Sequence, residues 1–201
     1  ITGATHGIGL AIAQQLAAEG AKVVMADVLD AVEQSAAAVR AASGGDVITY
    51  IGDLSKEENV QAMHAATRAA FGPANILINN AGGGVIRPFL DHTPETLHAT
   101  IDRNLWTVLW CCRVFLPDML EAGYGRIVNI GADSVRNGLW QHAAYNAAKG
   151  ALLSMAKGWA KEFGPFNIMV NCVAPGPTIT PMVTTRLAPE YFTERAKQIP
   201  L

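Results

Sequence analysis

Short, unbroken apolar runs alternate with stretches of helical periodicity along most of this 201-residue chain. That alternation constrains the fold more than any other feature. Runs such as Val23-Val24-Met25 and Ile76-Leu77-Ile78 are too continuous for a strand with one wet face. A strand apolar on both sides is buried on both sides, which calls for helices above and below and therefore parallel pairing. The expected strands are 22–27, 47–51, 75–79, 126–130 and 168–173. Between them the spacing predicts helices over 7–19 (Ile8, Ile12 and Leu16 on one face, stopped at Gly20), 31–42, from a Ser55-x-x-Glu58 capping box to about 71, 94–121 and 143–163. Right-handed crossovers make this an α/β, doubly wound parallel sheet of Rossmann type, in a single domain over 1–201. Ile1-Thr2-Gly3 reads as the last of a strand entering a turn, and Ile199-Pro200-Leu201 closes no element. The expectation is that a first strand and C-terminal elements lie outside this sequence.

Half of the residues are hydrophobic and 16% charged, enough apolar surface for a buried core. A net charge of -2 without any Lys/Arg run argues against a nucleic-acid or anionic-membrane surface. No apolar stretch approaches the ~20 residues of a bilayer span, and no basic-then-apolar leader precedes the first helix. Cys111, Cys112 and Cys172 have neither metal-site nor disulfide-framework spacing. No metal is expected, and a reducing, cytoplasmic setting is.

Two patterns carry chemistry. Thr2-Gly3-Ala4-Thr5-His6-Gly7-Ile8-Gly9 lies where a strand turns into a helix. Glycines there let backbone approach a pyrophosphate, and the helix start offers free N–H groups and a positive dipole end. A bare tight turn would look the same, but the position between strand and helix favours a nucleotide. Asp27 ends the next strand, where a carboxylate accepts from an adenosine ribose and repels a 2′-phosphate, favouring NAD over NADP; a solvated strand end is the plainer alternative. Asp53-Leu54 is placed to flank an adenine. The second pattern is Tyr145-x-x-x-Lys149. On a helix these share a face, and a nearby ammonium is expected to lower the phenol's pKa and make it an acid/base near neutral pH.

Together with Asn79-Asn80-Ala81-Gly82, Asn104 and Pro175-Gly176, these motifs stand in an order that closely resembles the short-chain dehydrogenases/reductases, in particular their 3-oxoacyl-reductase type. The resemblance implies that Asn80, Ala81 and Gly82 line the cofactor cleft, and that Pro175, Gly176, Thr178 and Thr180 hold the nicotinamide end. It implies Tyr145 as acid/base, Lys149 on the nicotinamide ribose, and Asn104 kinking the long helix and holding a water. It implies a substrate lid over 181–200, carrying Arg186, Tyr191, Phe192 and Arg195, and a dimer or tetramer paired through the long helices, on which Trp106 and Trp110 are either core or part of that contact. Trp140, Gln141 and His142 are expected at the pocket's border; Arg87, Arg136 or Arg186 could grip a carboxylate or an acyl-CoA phosphate, though solvated surface arginines are the favoured reading.

One position departs. Thirteen residues before the tyrosine, where the family carries a serine, stands Ala132. Either Ser134 supplies the hydroxyl, or the enzyme works without it, or catalysis is lost. The favoured expectation is an active, NAD-linked alcohol–ketone oxidoreductase with Ser134 as substitute. The alternatives are a catalytically silent NAD-binding module and an epimerase or dehydratase.

Overall fold

The computed structural model describes residues 1–185 and 188–197. Its strands are β1 (Val23–Asp27), β2 (Val47–Ile51), β3 (Ile76–Asn79), β4 (Gly125–Ile130) and β5 (Ile168–Val173). All pair in parallel, β1 with β2 and β3-β4-β5 in that order. Ile1 and Thr2 join the two sets: Thr2 bridges Ala26, and its N–H donates to the Ile78 carbonyl at 3.0 Å. The carboxyl ends of β1 and β3 thus open beside the turn that begins at Gly3.

The helices are α1 (Gly7–Ala18), α2 (Val32–Ser43), α3 (Glu57–Phe71), α4 (Pro94–Ile101), α5 (Thr107–Ala122), α6 (Ser134–Asn137), α7 (Ala143–Phe163), α8 (Pro181–Thr184) and α9 (Pro189–Ala196). Small residues let α1 and α2 approach the β1–β2 edge closely, around Ala13, Ala17, Met25, Val32 and Ala36. A larger core gathers α3, α5 and α7 on β3–β5, where Ile127 and Leu152 are fully buried. Burial of one such side chain contributes about 1.5–3 kcal/mol, so this core fixes α7 against the sheet.

Two local expectations are corrected. Ser55 and Glu58 form no capping box: α3 starts at Glu57 after Lys56, without a side-chain cap. The Asp53 carboxylate takes the Ser55 N–H at 3.0 Å, so the turn is closed by aspartate instead. Among the described residues a capping box forms instead at Thr93 with Thr96, at the start of α4. Nor is 94–121 one continuous α-helix, because a π turn at Asp102–Trp106 separates α4 from α5.

Candidate active site

The glycine turn is built by close approach. Gly3 has φ +65°, and a Cβ there would lie 2.8 Å from the Ala81 Cα. A Cβ on Gly9 would lie 2.6 Å from Asn80 Nδ2 and collide with the Gly3 carbonyl. Asn80 makes this packing a bonded one, donating from Nδ2 to the carbonyls of Thr2 and Gly3 at 3.0 Å each. Thr2 was not among the expected site residues. Its hydroxyl accepts from the N–H groups of Asn80 and Ala81, at 3.0 and 2.9 Å.

Asp27 braces the same turn, one carboxylate oxygen accepting from Thr5 N–H at 3.0 Å and the other from Val28 N–H at 2.8 Å. Helix α1 begins behind exposed His6 with no side-chain cap and no acid in its first turn, so its free N–H groups face the turn uncompensated. The hydroxyls of Thr5 and Thr180 are buried without a partner among the described residues. Thr180 stands over the turn, its Cγ2 3.3 Å from where a Gly7 Cβ would be. Unspent donors around an uncapped helix start suit the phosphates of a dinucleotide. Ile8 is half-buried beside them. Asp53 lies exposed at the next strand end, whereas Leu54 is committed to the core.

The second half of the site is collected from distant segments. On α7, Tyr145 and Lys149 lie one turn apart, and Lys149 is only 3% exposed. Its ammonium donates to the Ile130 carbonyl at 2.8 Å. Burial pushes its pKa down to about 8. Asn104, fully buried in the π turn, donates to the Gly83 and Thr100 carbonyls at 2.6 and 2.8 Å and accepts from Gly83 N–H at 3.0 Å. Gly82 is squeezed between the two: a Cβ there would be 2.8 Å from both Asn104 Oδ1 and Lys149 Nζ. Gly84 leaves room for the tyrosine ring, whose Cδ2 would be 3.1 Å from its Cβ. The run Gly82-Gly83-Gly84 was the signal that could have flagged Gly83 and Gly84.

The expected acidification of the tyrosine is corrected. Burial raises the Tyr145 pKa above its ordinary value. The reason is that desolvation disfavours phenolate. Ser134 is also diverted: its hydroxyl donates to Asn146 Oδ1 at 2.6 Å, and Asn146 Nδ2 donates back to the Ser134 carbonyl at 3.0 Å. This reciprocal pair ties α6 to α7. Ala132 adds no hydroxyl in its place.

Pro175 accepts from Asp133 N–H at 3.0 Å, holding the loop after β5 beside α6. Along that loop the Thr178 hydroxyl donates to the Gly176 carbonyl at 3.1 Å. Arg87 donates weakly to the Asp91 carbonyl at 3.4 Å, and Arg136 is exposed. Residues 186, 187 and 198–200 of the expected lid, Arg186 among them, and the Arg195 side chain lie outside the described residues. Tyr191 and Phe192 pack edge to face on α9, ring centres 5.7 Å apart. Among the described residues no group of three His, Cys, Asp or Glu could hold a metal ion, and no helix is long and apolar enough to cross a membrane.

The sequence matches the family model described as short chain dehydrogenase over residues 1–190. A 2,3-dihydroxy-2,3-dihydro-p-cumate dehydrogenase of Pseudomonas putida is 56% identical over 176 residues, spanning 87% of this chain and 68% of that protein. A 1,6-dihydroxycyclohexa-2,4-diene-1-carboxylate dehydrogenase, also of Pseudomonas putida, is 35% identical, spanning 89% of this chain and 65% of its own. Among solved structures, L-sorbose reductase from Gluconobacter frateurii, complexed with NADPH and L-sorbose, superimposes with a TM-score of 0.90 at 31% identity, over 98% of this chain and 80% of that one.

Proposed function

The chain belongs to the short-chain dehydrogenase family, and from that premise we propose that it is an NAD-dependent oxidoreductase interconverting a secondary alcohol and a ketone, with Tyr145 as general acid/base. Its relatives are dehydrogenases and reductases, and nicotinamide cofactors serve such chemistry. One observation carries the reading: Tyr145 and the buried ammonium of Lys149 share a face of α7, against a glycine wall with room for little else.

The cofactor, when bound, takes or gives the hydride. The chain's own residues handle the proton. Tyr145, held protonated by burial, is set to give its proton to a ketone oxygen; in the oxidative direction its phenolate takes the proton of the alcohol. Lys149, Asn104 and Gly82 hold that end of the cleft. The uncapped start of α1, with Gly3, Gly7, Gly9, Thr5 and Thr180, would hold the phosphates, with His6 and Ile8 beside them; Asp53 would flank the adenine, Asn80 and Ala81 would line the cleft, and Pro175, Gly176 and Thr178 would hold the nicotinamide end. Asp27 favours NAD, since a ribose phosphate would face its carboxylate.

Two relatives are named for ring diols with neighbouring hydroxyls and a carboxylate, so a cyclic vicinal diol is the substrate proposed. A homo-oligomer is proposed as well. The stacked Trp106 and Trp110, 5.3 Å apart, border a groove of about 410 Å³ with Leu116, Trp159 and Phe163, and light scattering of the purified chain tests it. Three free cysteines agree with a cytoplasmic setting.

A panel of secondary alcohols with NAD or NADP, followed by NADH or NADPH absorbance, tests the activity. Tyr145→Phe should remove turnover by about 10³-fold or more while NADH binding survives; a variant with wild-type turnover sinks the assignment. The second reading, a silent cofactor-binding module, is favoured by the diversion of Ser134 to Asn146. Wild-type protein that binds NADH and turns over no alcohol would establish it.

A further inference from the structure

We propose that His142 is the specificity-determining residue that recognises a second hydroxyl on the carbon beside the one oxidised. The inference rests on the alcohol–ketone reading above and extends it to a contact that the expected site residues leave unfilled. The Ala132 side chain offers no hydrogen bond, and the Ser134 hydroxyl is turned to Asn146. The polar reach beside Tyr145 has to come from elsewhere.

His142 stands at the N-cap of α7, and its ring meets the Tyr145 ring edge-on, centres 6.1 Å apart and planes at 79°. Its Nδ1 lies 2.7 Å from the Trp140 carbonyl. A carbonyl can only accept, so Nδ1 carries a proton, and in the neutral tautomer with that proton Nε2 is an acceptor. Nε2 makes no hydrogen bond with any described residue. The ring is therefore fixed at one nitrogen and free at the other, beside the acid/base.

The backbone before it is forced to put it there. Gln141 has φ +66°, one of two non-glycine residues in the left-handed region among those described. Neither glycine nor asparagine occupies the position, so the conformation is held against local preference. The turn is closed by His142 N–H donating to the Leu139 carbonyl at 3.2 Å. An acceptor at Nε2 suits a donor that a simple secondary alcohol lacks once its own proton is directed to Tyr145. The second hydroxyl of a vicinal diol is such a donor.

The test compares cis-1,2-cyclohexanediol with cyclohexanol as substrates of wild type, His142→Ala and His142→Gln. In H142A the ratio of kcat/KM for diol over monoalcohol should fall about tenfold, mostly through KM, as expected for one lost neutral hydrogen bond. H142Q, whose amide oxygen is again an acceptor, should recover a clear part of that ratio. Calorimetric binding of the diol in the presence of NADH should weaken in parallel in H142A. A ratio unchanged in H142A overturns the proposal. So does an H142Q ratio as low as that of H142A, because the loss would then come from ring packing on Tyr145. Wild-type protein inactive on the whole alcohol panel fails the underlying activity instead, and this proposal falls with it.

Discussion

The glycine turn at residues 3–9 and the wall around Tyr145 share one cleft but are constructed differently. The turn is continuous in sequence, and its shape follows from side chains that are missing: neither Gly3 nor Gly9 has space for a Cβ. The wall is discontinuous. Gly83, Asn104, Ile130 and Lys149 come from four segments and are held in two hydrogen-bonded pairs, Gly83 with Asn104 and Ile130 with Lys149. A turn of the first kind fails by collision, and a wall of the second kind fails by losing one partner.

Substitutions can break this contrast, and the largest effect is expected at Lys149. K149M should lower turnover about 10³-fold. The folded chain releases this proton near pH 8 and the unfolded chain holds it to about 10.5. Wild-type stability should therefore gain on K149M as pH rises across that window, by an amount on the order of 3 kcal/mol. Urea denaturation of both proteins at pH 7 and above pH 10 measures it, and a pH-independent gap refutes a buried, disfavoured charge.

Next comes G9A. Overpacking of the turn should weaken NADH binding about a hundredfold and destabilise the fold by about 1–3 kcal/mol, read by fluorescence titration and thermal melting. G82A sharpens the comparison, because its methyl group meets the end of the lysine and the Asn104 amide rather than backbone. It should lower kcat tenfold to a hundredfold with a smaller change in melting temperature. An unchanged kcat would mean that this glycine does not hold the catalytic groups. The smallest effect is expected for S134A, which loosens α6 from α7: kcat should fall less than about tenfold. A loss of 10² or more would restore Ser134 as a substrate donor.

The same contrast explains what the sequence made legible. The five strands and helices α1, α2, α3 and α7 came through to within a residue or two, because continuous apolar runs and 3.6-residue spacing are local signals, whereas α4 and α5 were expected as one helix and the short α6, α8 and α9 were not anticipated. The glycine turn was equally plain. The capping assignment at Ser55 went wrong because Ser55-x-x-Glu58 fits a capping box, while an aspartate two residues earlier closes the turn. The direction of the Tyr145 pKa went wrong for a different reason: spacing on a helix says that two groups are neighbours, but not how dry the cleft is. The roles of Thr2, Gly84 and Asn146 depend on contacts across long stretches of chain, which no local spacing encodes.

The π turn at Asp102–Trp106 has a mechanical consequence. One residue more than an α-turn requires shifts the phase of everything after it by about 100°. Asn104 can then face the lysine while Trp106 lies exposed on the same rod, stacked on a Trp110 that packs against the core. Removing a single amino acid there would twist the inner wall and the outer stripe out of alignment together, so the segment behaves as a fixed gear between the reacting centre and the external face.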